Sequence, residues 1–463
     1  MAEITRILAR HLAGLSYEDI PAAALHAAKR SLLDAVAVSL GASGLEPACA
    51  PFIALARESA GPCRILGTDV TSSPLMAAFA NGALAHALDY EDAYDGTPAH
   101  PNAASVPVAL ALADADASIS GRALVTALAA ASDITCRLAL GLRDNPDRYG
   151  FYTPPILGAF GAAACAAKLL GFDEDKIVAT WGLTLSQAMC SSQFKRDPLS
   201  SLRAVRDAFA AQVGLQSARL AALGVRGFEA AFEGEHGFYA AHARSRCDEA
   251  RLLDDLGKQF LGERVSFKPW PSCRGTHAYI EAALQLKRQH AIEPQDISAI
   301  VAYGAPLNRM LAEPLAQKQA PQTAIDAKFS IPFCVAVALS RSEVTLDDFM
   351  PAALNQPVAQ RVSYHVDETA GMAEATSGSL QLQLRSGETF STRIERPLGH
   401  PDHPLGDERL IEKLYDCATR AQVPLTPAEA ETTARALLTI DQAGSAALSV
   451  LPLSARGGNH GSV

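Results

Sequence analysis

Residues 81–107 read NGALAHALDYEDAYDGTPAHPNAASVP, and the rest of the chain can be ordered around them. Ala83, Leu84, Ala87 and Leu88 recur at helical spacing. His86 and Asp89 are three apart, so a continuing helix puts them on one face, and Asp92 extends that row. The helix is expected to fail at DGTPAHP. Gly96 and Pro98 break it, and Pro101 biases His100 away from the α region. A carboxylate on a helix end and a histidine on the following loop can then converge, an arrangement suited to proton transfer. The ordinary alternative is a solvated helix end carrying Glu91, Asp92 and Asp95, with His100 on a surface loop.

The totals narrow the classes. At 463 residues the chain has room for roughly three domains. Hydrophobic residues make up 49% of it but aromatics only 6%, so a large core must be filled by Ala and Leu, which favour helix. Against 40 basic residues stand 50 acidic ones, a net charge of −10 with no basic stripe, which argues against nucleic acid. A small anionic substrate remains compatible if cations gather locally in a pocket. The 9 cysteines include no CxxC pair, and Cys136, Cys165 and Cys190 lie among apolar neighbours, which fits a reducing cytoplasm. The opening MAEITRILARHLAGL is amphipathic rather than a signal peptide, and no run of 18 or more apolar residues suggests a membrane span.

Along the chain, helix follows helix to about residue 262. Ile4, Ile7, Leu8 and Leu12 mark the first, and a second starts near Pro21 and closes at Gly41. Segments 74–90, 104–115, 121–142, 157–170, 175–191, 201–223 and 248–260 repeat the pattern and suit a bundle-like core. After Leu261 the character changes. Strands are expected at 298–304, 360–367 and 379–396, the last a hairpin turning at SGE, with helices at 274–289 and 327–340 between them. The expected organisation is mainly α: an all-helical domain over 1–264, a smaller α+β domain over 265–400, and a helical segment over 401–463 that returns to the first domain. The final LSARGGNHGSV lacks periodicity and is expected to fray.

Four further stretches carry reactive groups. In RYGFYTPPILGAFG, Pro154 and Pro155 break one helix before a small-residue helix starts; Tyr152 stands at the break, as a proton donor, a carboxylate holder or an anchoring tyrosine. In SSQFKRDPLSSLRAVRDAFAA, Lys195 and Arg196 precede a turn at Asp197–Pro198, and Arg203 lies on the next helix; anion binding competes with solvated surface charge as the reading. In VSFKPWPSCRGTHAYIEAAL, Lys268, Cys273, Arg274 and His277 crowd together at the proposed domain junction. Cys273 and His277 at i,i+4 can share a helical face, but a lone CxxxH is weak support for zinc. A lysine buried there can act as a base, and a basic hinge is the plain alternative. In DAKFSIPFCVAVALS, Lys328 opens a packed apolar helix. GxGxxG, GxxxxGK[ST] and GxSxG are all absent, which removes the best support for dinucleotide, P-loop and α/β-hydrolase readings.

Taken in order, LLDAVAVSLGAS, HALDYEDAYDGTPAHPNAASVPVALALAD, GFYTPPILGAFGAAACAAKLLGF, KPWPSCRGTHAYIEAAL and DAKFSIPF resemble the MmgE/PrpD family over about residues 5–400. Its activities include 2-methylcitrate dehydration, cis-aconitate decarboxylation and iminodisuccinate epimerisation. The resemblance implies a large all-helical domain with a smaller α+β domain over it, an active site in the cleft between them, and a homodimer. It also implies acid–base chemistry on small di- or tricarboxylates without cofactor or metal. Carried over by position, Asp89 and His100 match the family's HxxDxxD…HP residues, Lys268 its KxxP lysine, and His277 the histidine that follows. The chain departs from the family in having Glu91, Asp92 and Ala93 for Asp-Asp-Thr, with Thr97 as a substitute hydroxyl, and Tyr152 where many relatives carry histidine. Either Lys195 or Arg203 stands in for the family's next lysine.

These residues suit proton abstraction beside a carboxylate, with fixed cations stabilising an enolate-like charge. Asp89, His100, Tyr152 and Lys268 are the expected catalytic groups. His86, Lys195, Arg203, Cys273, Arg274 and His277 are the expected substrate contacts. A 2-methylcitrate dehydratase-like lyase is the favoured reading, and an epimerase or a decarboxylase needs the same residue types. Other classes are a non-catalytic helical dimer that binds a carboxylate, and a metal-dependent hydrolase using His86, Asp89 and His100.

Overall fold

A computed structural model describes residues 3–97, 99–197, 200–371 and 374–447, and the chain is mainly helical with small sheets. The described residues form two compact units. The first takes in residues up to Tyr94, those from Ala99 to Val265 and those from Gly406 on; the second takes in Asp95–Thr97 and Ser266–Leu405.

Small side chains set the packing of the first unit. The helices Pro74–Ala87, Asn102–Ala115, Thr153–Leu169 and Asp207–Ala222 pack on one another, and Ala78, Ala104, Ala163 and Ala211 on them are fully buried. At one crossing even alanine is too large. A Cβ on Gly214 would lie 2.6 Å from the Ala162 Cβ and 2.7 Å from the Ala163 backbone nitrogen. The Gly121–Leu140 helix is long and apolar enough to cross a membrane, against expectation, but 89% of its apolar window is buried inside the protein. The charges that interrupt it are satisfied internally. Arg137 Nε donates to Asp133 at 2.7 Å, and its other nitrogens donate to the carbonyls of Leu252, Asp254 and Gln259.

The Ala22–Leu45 helix runs through Gly41 instead of closing there, because Gly41 serves packing. Its missing side chain leaves room for the Asp407–Thr419 helix, whose Cys417 Cβ lies 3.2 Å from the point a Cβ would occupy. Lys413 on that C-terminal helix donates to Asp34 at 2.7 Å and to the Tyr90 carbonyl at 2.6 Å, with its ammonium 3.6 Å from the centre of the Tyr90 ring.

The second unit holds a four-stranded sheet in the order Val362–Val366, Ile297–Gly304, Gly378–Leu384, Thr389–Ile394. The first pair is parallel and the other two are antiparallel. Ile300 pairs with Leu382 and Ala302 with Leu380, so one face is apolar, and all four side chains are buried. The helices His277–His290 and Ile331–Ser340 complete this core.

Several expected boundaries move. The helix expected to run to residue 90 ends at Ala87, because Asp89 takes up a left-handed conformation at φ 50° and its N–H closes on the His86 carbonyl at 2.7 Å. His86, Asp89 and Asp92 therefore do not form a helical row. Pro154 and Pro155 do not break a helix; they sit in the first turn of Thr153–Leu169, where a missing N–H has no intrahelical partner to lose. The 201–223 segment divides into Leu202–Val205 and Asp207–Ala222, 175–191 shortens to Glu174–Leu185, and 248–260 to Glu249–Leu253. A 3-10 turn at Arg274–Thr276 separates Cys273 from His277, so they share no α-helical face. Pro98, Pro198 and the tail 453–463 lie outside the described residues.

Gly214→Val should cost on the order of 3 kcal/mol, because its added atoms meet backbone that cannot turn aside. A thermal midpoint equal to that of the parent protein would show that these helices can part freely.

Candidate active site

The clearest chemistry in the first unit lies where the Pro74–Ala87 helix ends. His86, on its last turn, is fully buried, and so are Asp89, Glu91 and Asp92 just beyond. The solvated helix end is thereby overturned. His86 Nδ1 lies 2.6 Å from Glu91 Oε1, and an Arg206 guanidinium N–H meets His86 Nε2. A guanidinium only donates, so His86 Nε2 is the accepting nitrogen and Nδ1 carries the proton given to Glu91. Burial, and then the Arg206 charge, lower the His86 pKa, consistent with a neutral ring.

His100 enters the same group from the loop. Its Nδ1 lies 2.8 Å from the Asp92 carbonyl and 3.0 Å from Glu91 Oε1. A carbonyl only accepts, so His100 Nδ1 is also protonated, and in the neutral ring the lone pair sits on Nε2. The two imidazole centroids are 5.7 Å apart, joined through one carboxylate oxygen.

Arg206 continues the group. Its guanidinium carbon lies 4.9 Å from the Tyr152 ring centre, and its Nη1 also donates to the Arg203 carbonyl at 2.7 Å. Asp207 Oδ2 is 3.6 Å from Arg206 Nε and 3.8 Å from His86 Nδ1. Burial works against the Arg206 charge, but Tyr152, Asp207, Glu91 and Asp89 more than offset it, so its pKa sits above the ordinary guanidinium value. Arg206 Nη2 is nevertheless buried with no hydrogen-bond acceptor among the described residues. A charged donor left in that state is unusual and is ready for an anion.

Tyr152 caps the Thr153–Leu169 helix, with its N–H on the Cys190 carbonyl at 2.8 Å. The Lys195 ammonium lies 4.7 Å from its ring centre and is also held by Asp147 at 2.8 Å. Burial lowers the Lys195 pKa, although Asp147 opposes this. Arg203 is buried, with its guanidinium 5.7 Å from the Phe194 ring, which in turn meets Tyr152 edge-on at 4.9 Å. His86, Asp89, His100, Tyr152, Lys195 and Arg203 thus belong to one neighbourhood.

Asp92 faces the opposite way. It accepts from Asn102 Nδ2 at 2.5 Å and Ser31 Oγ at 3.0 Å. Burial, and then Asp34, push its pKa up to about 6, although both hydrogen bonds oppose the shift. Its carbonyl holds His100 and its side chain braces the loop from behind.

The other expected residues lie in the second unit. Lys268 is fully buried, on a segment fixed by the Phe267 N–H to the Gly399 carbonyl at 3.1 Å. Cys273 N–H donates to the Lys328 carbonyl at 3.0 Å, and Lys328 is itself buried. Arg274 is held internally. Its Nε and Nη2 clamp Asp95 at 3.1 and 3.0 Å, and its other N–H groups reach the carbonyls of Leu398 and Pro397. These acceptors all lie within its own unit, so it ties that unit together. His277 takes a similar role. Its Nδ1 lies 3.3 Å from Arg274 Nη1 and its Nε2 lies 3.1 Å from the Ser272 carbonyl, which engages both ring nitrogens and weakens the zinc and substrate readings.

Among the described residues, His86, Asp89 and Glu91 offer ligand atoms within 4.8 Å of one another. Both His86 nitrogens already serve Glu91 and Arg206, and the guanidinium supplies the positive charge a metal would bring, so this trio fits a hydrogen-bonded network better than a metal site. The sequence reading singled out neither Glu91, Arg206 nor Asp207 as a site residue. The available signal was an Arg-Asp pair opening an alanine-rich helix, three residues after Arg203.

The MmgE/PrpD N-terminal domain model matches residues 6–249 and the MmgE/PrpD C-terminal domain model residues 270–439. The chain is 25% identical to the cis-aconitate decarboxylase-like protein oryM of Aspergillus oryzae over 442 residues, covering 89% of each. It is 26% identical to the cis-aconitate decarboxylase of Homo sapiens over 378 residues, covering 76% of this chain and 74% of that one. To the cis-aconitate decarboxylase of Mus musculus it is 24% identical over 453 residues, covering 91% and 88%.

The raised Asp92 pKa makes a signed prediction. A carboxyl titrating at about 6 when folded, against 3.8 unfolded, holds its proton better in the native state. Its contribution is full below about pH 4 and is lost as pH rises through 6, amounting to roughly 3 kcal/mol. The stability of the parent protein relative to Asp92→Asn should therefore fall between pH 4 and 7 in denaturant titrations. A pH-independent difference would rule this out.

Proposed function

The chain belongs to the MmgE/PrpD family, and we propose that it is a cofactor-independent lyase working by acid–base chemistry beside a carboxylate of a small di- or tricarboxylate. The observation that carries this reading is Arg206, a buried cation with an unsatisfied Nη2 donor set among Tyr152, His86, Glu91 and Asp89. A substrate carboxylate would satisfy that donor, and a guanidinium suits planar anions. Charge developing on an adjacent carbon would then meet a fixed cation in surroundings of low dielectric.

In the dehydratase-like form, His100 or Asp89 takes the proton from the carbon next to the carboxylate. The C–H electron pair becomes the new double bond as the neighbouring C–O bond breaks. Tyr152 supplies the proton with which the hydroxyl leaves as water. Lys268 enters the proposal through its match to the family lysine, and the protein would act as a cytoplasmic homodimer.

Decarboxylation of a similar substrate is the second reading, favoured by the names of the relatives found. There the C–C bond to the departing CO₂ breaks, its electron pair stays on the remaining carbon, and one of the same acids protonates it.

A panel of 2-methylcitrate, citrate, cis-aconitate and chiral aminodicarboxylates in deuterated water, followed by NMR, separates these outcomes. Loss of water, loss of CO₂, or deuterium exchange with inversion each identifies one reaction. His100→Gln and Lys268→Met should each lower turnover on the order of 10²-fold. Full activity in both variants would remove these residues from the chemistry.

A further inference from the structure

The functional reading leaves Asp207 without a task. Asp207 is fully buried, and neither Oδ1 nor Oδ2 has a hydrogen-bond partner among the described residues. Two groups lie near Oδ2 without closing on it. Arg206 Nε is 3.6 Å away, and His86 Nδ1 is 3.8 Å away with its proton given to Glu91 at 2.6 Å. The backbone beneath the carboxylate is held in place. Asp207 opens the Asp207–Ala222 helix, and a Cβ on the facing Gly82 would lie 2.9 Å from both its carbonyl oxygen and the Ala208 Cα. A buried carboxylate that receives no hydrogen bond costs free energy and requires an explanation.

Small residues leave space beside that carboxylate. A Cβ built on Gly158, on the Thr153–Leu169 helix, would lie 3.7 Å from Asp207 Oδ1, 3.5 Å from the Ala104 Cβ and 3.9 Å from the Ala210 Cβ. All three are ordinary van der Waals distances, so room for one methyl-sized group adjoins Oδ1. The other oxygen faces Arg206, whose Nε and Nη2 both lack an acceptor at hydrogen-bond distance among the described residues. These two nitrogens line one edge of the guanidinium, and such an edge takes a carboxylate in bidentate fashion. Donors for a carboxylate and an acceptor for an O–H or N–H group therefore stand side by side.

We propose that Asp207 is a specificity-determining residue: when a substrate carboxylate lies on the Arg206 edge, Asp207 accepts a hydrogen bond from a hydroxyl or ammonium group on the carbon that bears it. The substrate class is then a 2-hydroxy or 2-amino di- or tricarboxylate. This rests on the reading above, in which Arg206 holds the carboxylate, and narrows its substrate. The donor group satisfies an acceptor that an analogue without it leaves buried and unpaired, and sites of this kind reject such analogues. Ionised cis-aconitate has no O–H or N–H, so it would leave Asp207 unsatisfied.

Isothermal titration with matched ligands tests this: succinate against both enantiomers of malate and of aspartate, and tricarballylate against citrate. In the parent protein at least one donor-bearing ligand should bind about 10-fold or more tightly than its donor-free counterpart. Aspartate against malate then tells ammonium from hydroxyl. Asp207→Asn removes the charge and Gly158→Ala fills the space, and each should cut that ratio about 10-fold. The methyl added at Gly158 meets no atom closer than 3.5 Å, so the thermal midpoint of that variant should stay near the parent value. If Asp207→Asn fails to fold, Gly158→Ala decides alone. Equal binding of matched ligands by the parent protein, expected if a water fills the space or Asp207 only balances Arg206, would overturn the proposal and leave the functional reading standing. An unchanged ratio in either folded variant would overturn it too. The expected preference without turnover of any ligand would support the recognition role and remove the lyase reading. Binding of no carboxylate would overturn both.

Discussion

Compensation of buried charge is the constraint on which the helical unit depends. Glu91, Asp92, Asp207 and Asp34 are each at most 2% exposed. An ion taken from water into such surroundings costs several kcal/mol unless it is paired or hydrogen-bonded. Two cations meet that need. Arg206 faces Asp207 directly and Glu91 through His86, and Lys413 holds Asp34 directly. Asp92 has no cation in its hydrogen bonds and relies on Asn102 and Ser31, and its raised pKa is the physical trace of that difference.

The backbone is bent to serve this arrangement. Asp89 sits at φ 50°, a left-handed conformation costing on the order of 1 kcal/mol for a residue other than glycine. That turn ends the helix at Ala87 and brings Glu91 back to the His86 imidazole. The Lys413 hold on the Tyr90 carbonyl ties the same loop to a helix near the end of the chain. Replacing it with a shorter side chain would leave both a buried carboxylate and a loop carbonyl without their cation. On the other side, the prolines at the start of the Thr153–Leu169 helix fix its entry and so the place of Tyr152. Packing of small residues supports all of this, because close helix contact leaves few gaps in which these side chains could find other rotamers.

In the second unit, polar groups serve order first. The Arg274 grip on Asp95 and on the carbonyls of the Pro397–Leu398 turn, with His277 behind it, holds together pieces far apart in sequence. Following each donor to its acceptor shows a structural tie that spacing alone does not reveal. Lys268 and Lys328 are both buried there as well.

The sequence by itself determined the mainly helical character, the strands of the sheet and the family, because these rest on periodicity and on ordered motifs that survive without coordinates. Alternation in Leu380, Leu382 and the segment after SGE needs no tertiary knowledge to read as a hairpin. It also marked His86, Asp89, His100 and Tyr152 as residues able to do chemistry. Only the tertiary structure decided what each was paired with. Glu91 looked like solvated charge because nothing local shows that an arginine from a distant helix will lie across the neighbouring histidine. Arg274 looked available because its acceptors, Asp95, Pro397 and Leu398, are remote in the chain. Local propensity is written residue by residue. The acidity, tautomer and availability of a side chain belong to whatever the fold brings against it, and that is where short-range reading ends.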